Sequence, residues 1–156
     1  MRLTMDETPL YVILMVTNKC NLNCKHCYVA TEFESSKELP FIQIQDILRK
    51  LVEAGTQAIC LTGGEPLLRR DFSDILRLLC DMGIKVDVMT NGLLINSYLS
   101  VFSRLKDHLT IQISIDGARK ETHEFLRGVG TYEKTLYSIS KLIENNINCE
   151  LVYTLS

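Results

Sequence analysis

Residues 58–92 carry the pattern that decides the fold, and they read AICLTGGEPLLRRDFSDILRLLCDMGIKVDVMTNG. The first four residues form an apolar run of strand length that leads into a glycine-rich turn. A segment with helical periodicity follows, and we expect Asp71 to cap its beginning and Gly83 to close it. Its apolar stripe consists of Phe72, Ile75, Leu76, Leu79 and Cys80. Apolar residues alternate over 84–88, so the segment predicts a strand, a helix and a strand in succession.

The same order continues on both sides of this segment. An apolar run at residues 10–17 predicts a strand, and the polar residues 18–28 after it predict a loop. The helical stripe that follows consists of Ile44, Ile47, Leu48, Leu51 and Val52. Beyond residue 92, apolar residues at helical spacing over 94–105 predict a third helix.

A fourth strand over residues 109–115 shows the clearest alternation. Its apolar face consists of Leu109, Ile111, Ile113 and Ile115, and its polar face of Thr110, Gln112, Ser114 and Asp116. We expect the apolar face to pack on helices and the polar face to line a cavity. A further helix over 132–143 and a last strand over 147–155 complete the pattern.

Strands that alternate with helices predict an α/β fold with a parallel sheet and right-handed crossovers, either doubly wound or curled toward a barrel. Function is then expected at the C-terminal ends of the strands. A complete eight-unit barrel takes about 250 residues, or roughly 31 per unit, so a chain of this length holds about five units. The chain of 156 residues ends in or just past an apolar strand with no helix to cover it. Because an exposed strand edge promotes association, we expect a fragment or a truncated product.

Composition excludes several classes of function. Hydrophobic residues make up 46% of the chain, which is typical of a soluble domain with one core. The net charge of −2 is too balanced for the field that nucleic-acid binding needs, so no nucleic-acid role is expected. No apolar run approaches the roughly 20 residues of a membrane span, and the N-terminus has no signal-peptide core. We therefore expect a cytoplasmic protein whose six cysteines stay reduced for metal binding or catalysis.

Each motif that could carry chemistry falls where a predicted strand ends. Residues 20–27 follow the first strand, Thr62-Gly63-Gly64-Glu65-Pro66 the second, Thr90-Asn91-Gly92 the third, and Ser114-Ile115-Asp116-Gly117 the fourth. Because the C-terminal ends of parallel strands share one edge of the sheet, these motifs point to a single cavity. Asn91 is a secondary candidate for a contact in this cavity, although Asn-Gly is also ordinary turn chemistry.

Cys20, Cys24 and Cys27 follow a C-x3-C-x2-C spacing that places three thiols on one short loop. Three ligands leave one coordination position open, as at a catalytic metal or at an iron–sulfur cluster with one iron free for substrate. A structural zinc site with His26 as fourth ligand is the alternative, although His26 is expected to point away from the centre that its neighbours hold. We predict structural roles for Cys60, Cys80 and Cys149, because they occupy apolar positions of strands or helices.

The cysteine motif resembles the radical S-adenosylmethionine (radical SAM) superfamily, whose C-x3-C-x-aromatic-C signature has His26 in the aromatic place. Residues 63–66 resemble the family's second motif, in which backbone contacts the methionine amino group of SAM and glycine permits close approach. The resemblance implies that Ser114 and Asp116 meet the ribose hydroxyls and that Arg127 pairs with the SAM carboxylate. Tyr28, which follows the motif, is a secondary candidate for a contact in the cavity, although packing over the loop alone also accounts for it.

The resemblance implies a [4Fe–4S] cluster held by Cys20, Cys24 and Cys27, with SAM on the fourth iron. One electron from an external flavodoxin- or ferredoxin-like reductant then cleaves SAM to methionine and a 5′-deoxyadenosyl radical, which abstracts hydrogen from a substrate. No catalytic side chain is implied beyond the cluster ligands. Residues 20–28 and 113–117 are most similar to the SPASM/twitch-type branch, whose members mature peptides or build cofactors.

This resemblance also implies a domain organisation. Residues 1–156 would form one core domain, a partial (βα) barrel with a parallel sheet and about five of the family's six strand units. It would be truncated at its C-terminus and lack the auxiliary-cluster extension that this branch usually carries. We expect that a C-terminal segment or a partner chain completes it. Two other classes remain open, a non-catalytic iron–sulfur or electron-transfer module and a zinc-stabilised interaction domain. Both account for the cysteines, but neither accounts for the glycine-rich motif, the polar fourth strand and Arg127 together.

Overall fold

The computed structural model describes residues 9–27, 29 and 38–154 of the chain. The strands are β1 (Tyr11–Thr17), β2 (Ala58–Gly63), β3 (Lys85–Thr90), β4 (Leu109–Ser114) and β5 (Asn148–Val152). The α-helices are α1 (Phe41–Ala54), α2 (Phe72–Asp81), α3 (Ile95–Leu105), α4 (Lys120–Arg127) and α5 (Tyr132–Glu144). Short 3₁₀ turns at Pro66–Leu68 and Lys106–His108 precede α2 and β4. The predicted alternation of strands and helices is confirmed.

The five strands form one parallel sheet in which spatial order follows chain order, from β1 to β5. Right-handed crossovers between successive neighbours place all the helices on the same face of a sheet. A doubly wound fold instead reverses its strand order at a switch point. The observed order has no reversal, so the sheet is that of a partial (βα) barrel, as predicted.

The hydrophobic core lies between the sheet and the helix layer. Val86 and Val88 of β3 are buried against this layer, as are the apolar residues of β4. Phe72 of α2 and Phe102 of α3 are fully buried, and the ring of Tyr98 packs edge-on against the first and stacks on the second. The helices cover only one face of the sheet. Every second side chain of each strand therefore points to the opposite face and lines the inside of the curved sheet.

Several boundaries differ from those predicted. Asp71 lies at the N-cap of α2, but its carboxylate pairs with Arg69 and makes no capping hydrogen bond. β4 ends at Ser114, so Ile115 and Asp116 belong to the turn beyond it. The helix α4 was not among the predicted elements. The last strand, predicted over 147–155, is β5 and spans Asn148–Val152, and residue 155 lies outside the described residues.

Within the described part of the chain, no helix combines the length and the apolar character that a membrane span requires.

Candidate functional site

A cavity of about 290 Å³ opens at the C-terminal ends of the strands. Its walls come from the loop after β1, the ends of β2, β3 and β4, the helix α4 and the chain around the end of β5. The predicted site residues on these walls are Cys20, Cys24, His26, Cys27, Gly63, Gly64, Asn91, Ser114 and Arg127. The motifs that follow four different strands therefore meet at one cavity, as the sequence predicts.

The loop of residues 18–27, here called the cysteine loop, is held by its own backbone and by α4. The Leu22 amide donates to the Cys20 sulfur at 3.4 Å, and the Cys27 amide donates to the Cys24 carbonyl at 3.1 Å. The Lys25 amide donates to the Leu126 carbonyl at 2.9 Å, which joins the loop to α4. These contacts place the three cysteine side chains on the wall of the same cavity.

The chemistry of this donor set fits a metal centre. All six cysteines of the chain are free thiols, with Cys20 exposed and Cys24 and Cys27 half-buried. Burial raises the pKa of the Cys20 and Cys24 thiols, so their thiolates need a neighbouring positive charge. A bound cation supplies that charge and displaces the protons. The three thiols therefore fit an iron–sulfur cluster by their chemistry and by their common position on the cavity wall.

The zinc alternative requires His26 as its fourth ligand. Nε2 of His26 lies 3.4 Å from a carboxylate oxygen of Asp116, and its Nδ1 is buried without a hydrogen-bond partner among the described residues. Within the described part of the chain, no three side chains of His, Cys, Asp or Glu converge on a single metal-ion position, and this holds for Cys20, Cys24 and Cys27 as well as for His26. The contact of the His26 ring is thus with Asp116, beside the cavity.

Gly63 and Gly64 approach the start of the cysteine loop closely. The Gly64 amide donates to the Thr17 carbonyl at 2.9 Å, and the Glu65 amide donates to the Lys19 carbonyl at 2.7 Å. A Cβ atom on Gly64 would lie 2.4 Å from the Lys19 oxygen, and one on Gly63 would lie 2.1 Å from the Thr17 oxygen. The glycines are thus required by contact with the protein's own backbone, whatever they contact in the cavity.

Glu65 lies behind the cavity wall, where it is fully buried. Its carboxylate accepts hydrogen bonds from the Leu67 amide at 3.1 Å, the Thr90 hydroxyl at 2.8 Å and the Asn91 amide at 2.9 Å. Burial raises the pKa of Glu65, and these three donors oppose that effect. The carboxylate therefore connects the end of β2 to the end of β3.

Asn91 combines the two roles considered for it. Its side-chain oxygen accepts from the Leu93 amide at 3.0 Å, which is turn chemistry. Its Nδ2 donates to the Asn21 side chain at 2.7 Å, and the residue lines the cavity. The turn after β3 is thereby fixed to the cysteine loop. Tyr28, the other secondary candidate, lies outside the described residues.

Ser114 and Arg127 lie on the cavity wall, but Asp116 is buried behind it with 1% of its surface exposed. One carboxylate oxygen of Asp116 pairs with Nε of Arg127 and lies beside His26. The other accepts a hydrogen bond from the Thr154 amide at 3.0 Å. Burial opposes ionisation, but the Thr154 amide and the Arg127 guanidinium together hold the pKa of Asp116 below its usual value.

The remaining cysteines lie away from the cavity wall, in keeping with the predicted structural roles. Cys60 and Cys80 are buried, and Cys149 is half-buried against the core. Burial raises the pKa of Cys80 to about 11. Sequence reasoning assigned no individual role to two residues that hold the site, Thr90 and Thr154. Thr90 is part of a recognised turn motif, whereas Thr154 acts through its backbone amide, which leaves no signal in the sequence.

The family model of the Radical SAM superfamily matches residues 14–155 of the chain. The chain is 33% identical over 156 residues to the AdoMet-dependent heme synthase of Methanosarcina barkeri, and 34% identical over 152 residues to the sporulation killing factor maturation protein SkfB of Bacillus subtilis. These matches cover 99% and 95% of this chain, but only 45% and 36% of the two relatives. The chain thus spans less than half the length of the curated relatives it matches.

Solved structures show the same fold. SuiB of Streptococcus suis bound to its precursor peptide SuiA superimposes with a TM-score of 0.83 at 23% identity, and SuiB bound to S-adenosylmethionine with a TM-score of 0.79 at 23% identity. Each match covers 92% of this chain and 32% of SuiB. The relatives include a heme synthase and a sporulation killing factor maturation protein, which confirms the predicted likeness to the SPASM/twitch-type branch. The match to the family model over nearly the whole chain shows that the protein belongs to the radical SAM superfamily.

Proposed function

We propose that this chain binds a [4Fe–4S] cluster through Cys20, Cys24 and Cys27 and cleaves SAM reductively in the adjoining cavity. The observation that carries the proposal is the meeting of motifs from four strand ends at one cavity, with all three thiols on its wall. Family membership implies both the cluster and SAM. Three thiols would leave one iron of a [4Fe–4S] cluster without a protein ligand and free to bind SAM.

When bound, the cluster would supply the one electron that reductive cleavage of SAM to methionine and a 5′-deoxyadenosyl radical requires. The side chains bind and orient the ligand for this step. The Arg127 guanidinium pairs with the carboxylate of SAM, and the Ser114 hydroxyl meets its ribose. Backbone at Gly64 meets its amino group, held in place by the buried Glu65. No further side chain acts as acid or base in this cleavage.

The substrate in this proposal is a peptide or a cofactor precursor that lies in the curved sheet beside SAM and loses a hydrogen atom to the radical. Its support is the pair of relatives whose names describe the maturation of a sporulation killing factor and the synthesis of haem. The electron comes from an external flavodoxin- or ferredoxin-like donor in the cytoplasm. We propose that residues 1–156 constitute a radical SAM core domain.

The test is anaerobic reconstitution with iron and sulfide, reduction with dithionite in the presence of SAM, and chromatographic measurement of 5′-deoxyadenosine. We expect product from the wild-type chain and none from the Cys20→Ser, Cys24→Ser or Cys27→Ser variant. Cys149→Ser is the matched control, since it removes a half-buried thiol that lies off the cavity wall. It should form product as the wild type does.

Two outcomes of this reconstitution would favour the other classes of protein, an electron-transfer module or a zinc-stabilised domain. A chain that retains iron and yields no 5′-deoxyadenosine behaves as an electron-transfer module, and the paramagnetic spectrum of its reduced cluster stays unchanged when SAM is added. A chain that retains zinc in preference to iron behaves as a zinc-stabilised domain. A Cys149→Ser variant that loses product along with the three ligand variants would show that the assay reports stability alone.

A further inference from the structure

We propose that Asp116 is a positioning residue that orients Arg127 toward the carboxylate of SAM and steadies His26 on the cysteine loop, and is no ligand of the ribose. This inference rests on the proposed function, because it assigns a role within the same SAM site. It departs from the role that the family resemblance implies for Asp116. Ser114 keeps the ribose role by itself.

The first observation is that both carboxylate oxygens of Asp116 have partners within the protein. Its side chain is completely buried and is absent from the cavity wall, whereas Ser114 and Arg127 are on that wall. One oxygen accepts from the Thr154 amide at 3.0 Å. The other is shared between Nε of Arg127 and Nε2 of His26. Because none of the Asp116 side chain is exposed, a ribose hydroxyl in the cavity has no carboxylate oxygen within reach.

The second observation concerns the part of Arg127 that remains for a ligand. Asp116 engages Nε, and within the described part of the chain neither Nη nitrogen has a hydrogen-bond partner. The side chain is 12% exposed, and that exposure is on the cavity. A guanidinium held at Nε keeps its plane fixed, and its two Nη groups can bind a carboxylate. Asp116 thus determines where the ligand's carboxylate can bind.

The third observation is that Asp116 joins three segments around the cavity. His26 belongs to the cysteine loop, Arg127 to the last turn of α4, and Thr154 to the chain after β5. The Lys25 amide makes a second link from the loop to α4. Displacing the carboxylate therefore changes the SAM-facing arginine and the loop that carries the thiols, while the central strands stay as they are.

The test compares two ligands that share adenine and ribose and differ in the amino-acid part. SAM has the carboxylate and the amino group, and 5′-methylthioadenosine has neither. In Asp116→Asn the side chain keeps its shape and an oxygen for Thr154, but it places an amide donor against the donors of Arg127 and His26. Calorimetry on the chain reconstituted with iron and sulfide should show SAM binding weakened by about tenfold or more. The affinity for 5′-methylthioadenosine should stay within about twofold, which is about 0.4 kcal/mol.

Ser114→Ala is the control, since loss of a ribose contact weakens both ligands by similar factors. Equal weakening of both ligands by Asp116→Asn would overturn the inference and would make Asp116 a ribose ligand. Unchanged SAM affinity in Asp116→Asn would overturn it as well. Circular dichroism and iron content verify that each variant is folded and loaded before binding is measured.

A double-mutant cycle on SAM affinity gives a second, independent result. If Asp116 acts through Arg127, then Asp116→Asn adds little to the loss already caused by Arg127→Gln. Additive losses would contradict the inference. If even the wild-type chain fails to bind SAM, the proposed function fails with it. If the wild-type chain binds SAM and forms 5′-deoxyadenosine, but the losses of SAM affinity in the two variants are additive, the role of Asp116 is refuted. The proposed function then stays intact.

Discussion

A single histidine, His123 on α4, shows how one buried polar ring makes the stability of the protein depend on pH. The ring is fully buried, and its Nδ1 accepts a hydrogen bond from the Asp116 amide at 3.2 Å. It therefore accepts at Nδ1 only in the neutral form, with its hydrogen on Nε2. Burial lowers the pKa of His123, and the positive charge of Arg127 adds to that effect.

We expect the unfolding free energy to decrease as the pH falls from about 6.5, the pKa of an unfolded histidine. Below that pH the unfolded chain binds a proton at His123 that the folded chain does not, so acid favours unfolding until the folded pKa is reached. One proton accounts for a slope of at most about 1.4 kcal/mol per pH unit. Urea unfolding between about pH 7.5 and 5.5 measures this slope.

The comparison variant for this measurement is His123→Phe, which keeps a ring beside Tyr132 and has no titrating group. Other groups titrate in both proteins, so the difference between the two slopes isolates His123. A variant whose slope equals that of the wild type would refute the assignment, even if its stability at pH 7.5 were lower.

At this scale the sequence predicted which residues surround the site but not how each is used. Cys20, Cys24 and Cys27 lie on the cavity wall, because spacing within one loop determines their proximity. Glu65 and Asp116 lie behind the wall, bound to donors from other segments of the chain. Such partners come from the packing of separate strand ends, and no local pattern encodes them.

At the scale of elements, the turn after β2 and the start of the cysteine loop form one packed unit. We expect Gly64→Ala to lower the unfolding free energy by about 1–3 kcal/mol or more, since the added methyl group meets the Lys19 carbonyl 2.4 Å away. The backbone must shift, and the loop that carries the thiols shifts with it. Urea unfolding and the iron retained after reconstitution measure the two effects.

The matched control is Gly83→Ala, at a glycine that has a positive φ of 76° and nothing near its missing Cβ. This variant costs about 1–2 kcal/mol for the left-handed backbone and should retain iron normally. Equal iron retention in Gly64→Ala and Gly83→Ala would show that the close contact of Gly64 does not hold the cysteine loop.

The elements themselves were predictable where apolar residues repeat strongly. The predicted strand over 109–115 and the helix over 132–143 differ from β4 and α5 by one residue at an end. The helix α4 was not predicted as a separate element, because only His123 and Leu126 of its eight residues are buried. A helix with so few buried residues has little periodicity, and its position depends on the contacts of Arg127 and Leu126 with the site.

At the scale of the whole molecule, chain order alone left a doubly wound sheet and a barrel both open. The observed strand order decides between them, because each strand pairs with its neighbour in the chain. The barrel curvature brings the ends of β1 to β4 around one cavity, which explains why motifs separated by about a hundred residues meet there. Periodicity cannot supply this result, since it describes each segment without its neighbours.

A buried arginine outside the cavity connects the layers of this partial barrel. Arg69, which is 4% exposed, donates to the Val16 carbonyl of β1 at 2.7 Å and to the Leu39 carbonyl before α1 at 2.7 Å. Its guanidinium also forms a two-point pair with Asp71 at the start of α2, at 2.5 and 3.0 Å. One planar group thereby joins a strand and the beginnings of two helices.

We expect Arg69→Lys to destabilise the whole protein although it keeps the charge. A lysine ammonium cannot reproduce the planar fork, and each buried carbonyl left without a donor costs about 1–3 kcal/mol.

Arg70→Lys is the control, because Arg70 is the adjacent residue in the chain and is exposed. Its effect on the unfolding free energy should stay within about 0.5 kcal/mol. Urea unfolding followed by two probes, far-ultraviolet circular dichroism and tyrosine fluorescence, measures both variants. If the sheet and helix layers depend on this one contact, the Arg69→Lys transition moves to lower urea by both probes together. A transition that moves by one probe alone would show that Arg69 stabilises a local segment and does not join the layers.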